Sequence, residues 1–159
     1  MLHIGLAQGL SDSALIGTTL CLTLTLAAIA VIDFRTFRVP DTLSLPLIIA
    51  GLTLAVFVPQ ISTTDYFIGA VVAFALFAGI GESYFRLRGI DGLGLGDAKL
   101  FAAAGAWLGW QNLPVILLIA TSGGIVQALI MRKAHRDEHL AFGPWIACGF
   151  WTVWLWSLR

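Results

Sequence analysis

Asp33 and Asp97 are the residues of this sequence whose type and setting best suit acid–base chemistry. No charged residue occurs from Ala14 to Ile32, and Asp33 then follows, leading into Phe34-Arg35. Asp97 comes after Gly92-Leu93-Gly94-Leu95-Gly96 and before Ala98-Lys99-Leu100. An ionisable group in so apolar a setting is costly and faces a polar cavity or a partner. Two carboxyls close enough to share one proton can hydrolyse a peptide bond without metal or cofactor, one acting as base toward water and the other as acid. Like charges a few ångströms apart do not both ionise readily, so one carboxyl keeps its proton and the pair titrates as a unit. Each aspartate also has a structural reading: Asp33 paired with Arg35 or Arg38, and Asp97 as a helix cap.

Around Asp97 the backbone is unusual. Gly89, Gly92, Gly94 and Gly96 disfavour both helix and strand and let another backbone approach closely, as a peptide substrate requires. Lys99, two positions on, faces another side of a helix; it is expected to snorkel to the interface rather than to favour an ionised Asp97. His135 and His139 have the spacing of a metal pair, but Arg132, Lys133, Arg136, Asp137 and Glu138 surround them and no further ligand is evident. A solvated loop is expected there, with no metal. Glu82 is expected to pair with Arg86 one turn on, Asp41 and Asp65 to act as caps, and Cys21 and Cys148 to be buried as small hydrophobes.

The elements that position these residues follow from composition. Hydrophobic residues make up 58% of the 159 positions and charged residues 11%, and the mean hydropathy is +0.91. These values lie outside the soluble globular range. The apolar blocks fit an all-α integral membrane protein, one domain over 1–159, with six spans at about 14–32, 43–58, 66–85, 98–110, 114–131 and 140–158. Asp12 and Ser13 are cap candidates for the first, and Pro40-Asp41-Thr42 suits the start of the second. Span 98–110 is only about 20 Å of helix, shorter than the hydrocarbon core of about 30 Å, so Asp97 lies below the inner interface if Trp110 marks the outer one.

Charge sets the orientation. Of nine Lys and Arg residues, all but Arg159 fall in the segments around 33–42, 86–99 and 132–139. The positive-inside rule then makes these segments cytoplasmic, with both termini periplasmic and the glycine-rich loop before the fourth helix on the cytoplasmic side. The first thirty residues hold no Lys or Arg, so the first apolar block is expected to remain in the mature protein. A formal net charge of zero leaves no basic surface for nucleic acid. An ion- or proton-coupled transporter also uses aspartates and a broken helix, but the two halves here show no repeat of the kind such folds reveal.

Three motifs, taken in order, resemble the catalytic domain of type IV prepilin peptidases, membrane aspartic proteases of the GxGD class. They are Asp33-Phe34-Arg35 with Val39-Pro40-Asp41, Gly94-Leu95-Gly96-Asp97-Ala98-Lys99-Leu100 running on into Gly105-Ala106-Trp107-Leu108-Gly109-Trp110, and Phe142-Gly143-Pro144. The resemblance implies that Asp33 and Asp97 are the catalytic pair. Gly92, Gly94, Gly96 and Lys99 would lie along the substrate's approach, and Arg35, Pro40, Phe142, Gly143 and Pro144 would support the site. The implied substrate is a prepilin or pseudopilin with a short basic leader, cut at the cytoplasmic face of the bacterial inner membrane. Many prepilin peptidases also carry an N-terminal extension with paired cysteines and methylate the new pilin terminus. This sequence shows no such extension, so the implied activity is peptidase without a structural zinc, with methyl transfer left open.

Overall fold

A computed structural model describes residues 9–58, 61–88, 94–133 and 141–158. Six α-helices run through them: α1 (Asp12–Thr36), α2 (Asp41–Phe57), α3 (Thr63–Arg88), α4 (Leu95–Leu108), α5 (Leu113–Lys133) and α6 (Gly143–Ser157). A 3-10 turn at Trp110–Asn112 joins α4 to α5. No strand occurs among the described residues. Three segments are long and apolar enough to cross a membrane: Asp12–Thr36, Thr63–Leu87 and Trp110–Met131. The helix Asp41–Phe57 is apolar but shorter.

At the centre is α4, packed against α2, α3 and α6, while α6 also packs on α1 and α5. Every residue of α4 from Leu100 to Leu108 is buried, the mark of a helix enclosed on all sides. Small side chains make this possible, because Ala102, Ala103, Ala104, Gly105 and Ala106 let neighbouring backbones come close. At Gly105 the approach is closest: a Cβ there would run into the Gly69 carbonyl of α3. Gly51 of α2 likewise makes room for the Trp107 indole, whose Nε1 donates to the Leu47 carbonyl at 2.7 Å. Trp107 stacks edge-on against Trp154 of α6 with ring centroids 5.5 Å apart, joining α2, α4 and α6 through one side chain.

Several boundaries and contacts differ from the sequence expectation. α1 runs on to Thr36, so Asp33 sits inside its final turn; Phe37 then ends it in the left-handed conformation at φ 52°, its N–H donating to the Asp33 carbonyl. α4 begins at Leu95 rather than 98, capped by Gly94 in extended conformation, with Asp97 in its first turn. There a carboxylate suits the positive end of the helix dipole, which offsets the poor helix propensity of Gly96. The N-cap of α1 is Ser11, not Asp12 or Ser13. Pro40 is the N-cap of α2, with Asp41 as its first helical residue. Asp65 lies in the first turn of α3 and accepts Trp110 Nε1–H at 3.2 Å. Cys21 and Cys148 are both exposed rather than buried. Leu24 at 71% and Leu118 at 67% exposure show why: this surface is apolar too, so hydrophobicity alone does not separate inside from outside.

The crossing at Gly105 yields a test. Gly105→Ala should lower the thermal midpoint in detergent, by about 1–3 kcal/mol of overpacking. Gly17→Ala, where a Cβ would meet nothing within 4 Å, should leave the midpoint unchanged or slightly raised. Equal midpoints for both variants would contradict the close α3–α4 approach.

Candidate active site

Four helix ends meet around Asp33: the last turn of α1 and the first turns of α2, α4 and α6. Asp33 is 4% exposed. Its Oδ2 accepts the backbone N–H of Gly143 at 3.1 Å. Gly143 is the first residue of α6, so this N–H is one of the donors a helix start leaves without an intrahelical partner. No arginine pairs with Asp33 among the described residues, so the expected pairing with Arg35 or Arg38 is replaced by this backbone bond.

The local sequence explains the arrangement. Phe142 caps α6 and Pro144 follows within its first turn, where a missing N–H costs nothing. Glycine at 143 is required for space, since a Cβ would lie 2.7 Å from Asp33 Oδ2 and 3.1 Å from Val39 Cγ2. Val39 in turn fills the space beside Gly96, where a Cβ would lie 2.9 Å from its own Cβ. A packed path thus runs from Asp33 through Gly143 and Val39 to Gly96, the neighbour of Asp97. Both aspartates line one cavity of about 700 Å³, together with Arg38, Pro40, Asp41, Gly94 and Lys99.

Asp97, at the start of α4, lies outside the three segments that are long and apolar enough to cross a membrane among the described residues. Burial first, and the Asp33 carboxyl second, push its carboxyl up from 3.8 to about 7, while a hydrogen bond from the Gly94 backbone pulls the other way. A carboxyl shifted this far can hold a proton near neutral pH.

Other sequence candidates divide. Gly94 stays open, the nearest atom to its missing Cβ being Asp97 Oδ2 at 3.8 Å. Gly96 also lines the cavity, and its small size makes room for Val39, whose Cβ would lie 2.9 Å from a Cβ there. Gly92 and Gly89 lie outside the described residues, as do His135 and His139. Arg35 is exposed and is not part of the cavity wall, whereas Arg38 is. Lys99 lines the cavity, and its Nζ donates to both Asp41 oxygens, at 2.6 and 2.7 Å. Glu82 pairs with Arg86 as expected, at 2.7 Å. Among the described residues no group of His, Cys, Asp and Glu is placed to hold a metal. Val39 went unread as a packing residue because an apolar side chain in an apolar sequence carries no signal of its own. The sequence clue lay in the small residues that make room for it, at 96 and 143.

The chain matches the model of the type IV leader peptidase family over residues 20–129, a range that includes both aspartates. It belongs to that family. It is 44% identical over 131 residues to the prepilin leader peptidase/N-methyltransferase of Escherichia coli (strain K12), covering 81% of this chain and 57% of that protein. The protein of the same name from Aeromonas hydrophila is 34% identical over 160 residues, covering 99% of this chain and 55% of its own length. That from Dickeya chrysanthemi is 40% identical over 137 residues, covering 84% and 48%. The chain thus spans about half the length of these curated relatives. No solved structure matches it.

The Gly143 contact is directly testable. Gly143→Ala should push the Asp33 carboxyl out of place and lower the thermal midpoint in detergent, by about 1–3 kcal/mol of overpacking. Gly79→Ala, with open space around it, should leave the midpoint unchanged. An unchanged midpoint in Gly143→Ala would contradict the close Gly143–Asp33 contact.

Proposed function

We propose that this chain is an aspartic endopeptidase that removes the leader peptide from type IV prepilins or pseudopilins. The observation that carries the reading is the pair of carboxyls on one cavity, the buried Asp33 held by the start of α6 and the half-buried Asp97 in the first turn of α4. The names of the relatives, each a prepilin leader peptidase/N-methyltransferase, supply the substrate class. None of them supports the transporter alternative.

In this reading Asp33 takes a proton from water and the resulting hydroxyl attacks the scissile carbonyl carbon. Asp97 gives its proton to the carbonyl oxygen, forming a neutral tetrahedral diol. On collapse, the C–N bond breaks, the amine nitrogen takes the proton that Asp33 acquired, and Asp97 recovers one from the diol. The pair ends with the single proton it began with. Gly94 leaves backbone room for an extended peptide, which the open space beside it supports. Pro40 and Arg38 form part of the same wall.

All six helices cross the bacterial inner membrane in this proposal, with both termini periplasmic and the aspartates at the cytoplasmic end. The clustering of Arg35, Arg38, Arg86, Arg88, Lys99, Arg132 and Lys133 near the helix ends on that side supports it. α4, with 14 residues, is about 21 Å long. Its shortness against the hydrocarbon core leaves room for the cavity beneath it.

Co-expression with a prepilin provides the test, read as leader removal on a gel. Asp33→Asn and Asp97→Asn should each lower processing at least about 100-fold, the usual scale of acid–base catalysis. In the wild type the rate should fall as pH rises past about 7, because the shared proton is then lost and no acid remains. Processing by both mutants, or a rate that keeps rising well above neutrality, would sink the aspartic mechanism.

A further inference from the structure

The Lys99–Asp41 ion pair sits on the wall of the same cavity as the two aspartates. It joins the first residue of α2 to the first turns of α4, two residues beyond Asp97. The ammonium is bound on both carboxylate oxygens, at 2.6 and 2.7 Å. The Lys99 side chain is 24% exposed and that of Asp41 57% exposed, so the ammonium is the more enclosed partner of the pair. Lys99 is itself the wrong charge to share a cavity with a carboxyl that must keep a proton. A cation within several ångströms favours the ionised form of such a group.

We propose that Asp41 is a positioning residue for the aspartate pair: by holding the Lys99 ammonium on both its oxygens, it offsets that cation's field in the cavity and lets the two aspartates share a proton. The inference rests on reading Asp33 and Asp97 as the catalytic pair. Held against its partner, the cation presents a short dipole rather than a unit charge, and a dipole's field fades faster with distance.

The remaining charges near α4 do not replace Asp41 in this role. α2 carries no other charged residue, and α6 carries none from Gly143 to Ser157. On α3, Glu82 and Arg86 neutralise each other in an exposed pair, and Asp65 lies in the first turn, bonded to Trp110 beyond the far end of α4. α5 has only Arg132 and Lys133, in its last turn. From the α1 side come Asp33 itself, the exposed Arg35, which is off the cavity wall, and Arg38, which shares it; Arg38 adds positive charge and so increases the need for Asp41.

The pH dependence of leader cleavage by purified protein in detergent, with a prepilin as substrate, decides the matter. Asp41→Asn should move the alkaline limb about one pH unit or more toward acid, the usual effect of an uncompensated cation nearby. Asp41→Glu should keep the wild-type limb. Asp41→Asn combined with Lys99→Gln should bring it back, since the cation is gone. Lys99→Gln alone leaves an unpaired anion and should move the limb the opposite way, toward alkali; it decides the case if Asp41→Asn fails to fold. A purely structural role would lower the rate at every pH and leave the limb in place. An unmoved limb in both Asp41→Asn and Lys99→Gln, with Asp33→Asn inactive, overturns this inference and leaves the peptidase reading standing. An active Asp33→Asn would overturn both.

Discussion

Two carboxyl groups facing one cavity at the end of an apolar bundle repel each other when both are ionised, and the site is arranged around that repulsion. Burial strengthens the effect, because little water is present to screen it. The structure answers in two ways. Asp33 receives an N–H from the first residue of α6, and Asp97 sits in the first turn of α4 with a bond from the Gly94 backbone. Each carboxyl therefore meets the positive end of a helix. What compensation remains undone is met by a proton, which Asp97 holds near neutrality. The need to share a proton is also the capacity to deliver one.

Holding this geometry falls to side chains with no chemistry of their own. Val39 touches the space of both Gly143 and Gly96, so one apolar side chain spans from the Asp33 contact to the residue before Asp97. Deeper in, α4 is enclosed by α2, α3 and α6 through its run of alanines and Gly105. In lipid, apolar burial gives no net drive for helices to associate, and close packing of small residues takes its place. The glycine and alanine content of α4 thus fixes where Asp97 stands as firmly as any polar contact. The indole of Trp107, bonded to Leu47 and set against Trp154, locks the other end of that helix.

Much of this was legible before any coordinates. Asp33 and Asp97 are conspicuous because charge is rare, and the helix start at Phe142-Gly143-Pro144 follows from proline's preference for a first turn. The Glu82–Arg86 pair follows from helical spacing. Other features were hidden for stated reasons. The Asp41–Lys99 bond joins residues far apart in sequence, so no local spacing announces it. Gly96 reads as an open loop residue, but the neighbour that fills its space, Val39, is also distant. Cys21 and Cys148 mislead because the inside and outside of this bundle are equally apolar, which defeats the rule that hydrophobes are buried. The extended ends of α1 and the early start of α4 depended on Phe37 adopting a left-handed conformation and on Gly94 acting as a cap, neither of which composition specifies.

The shared proton itself can be watched most directly by infrared spectroscopy of the purified protein, following the carbonyl stretch of a protonated carboxyl during a pH titration. The account predicts a band that persists until about pH 7, vanishes in Asp97→Asn, and in Asp33→Asn is lost at lower pH because the neighbouring charge is gone. A band absent above the ordinary carboxylate range, or one that Asp33→Asn leaves unmoved, would contradict it.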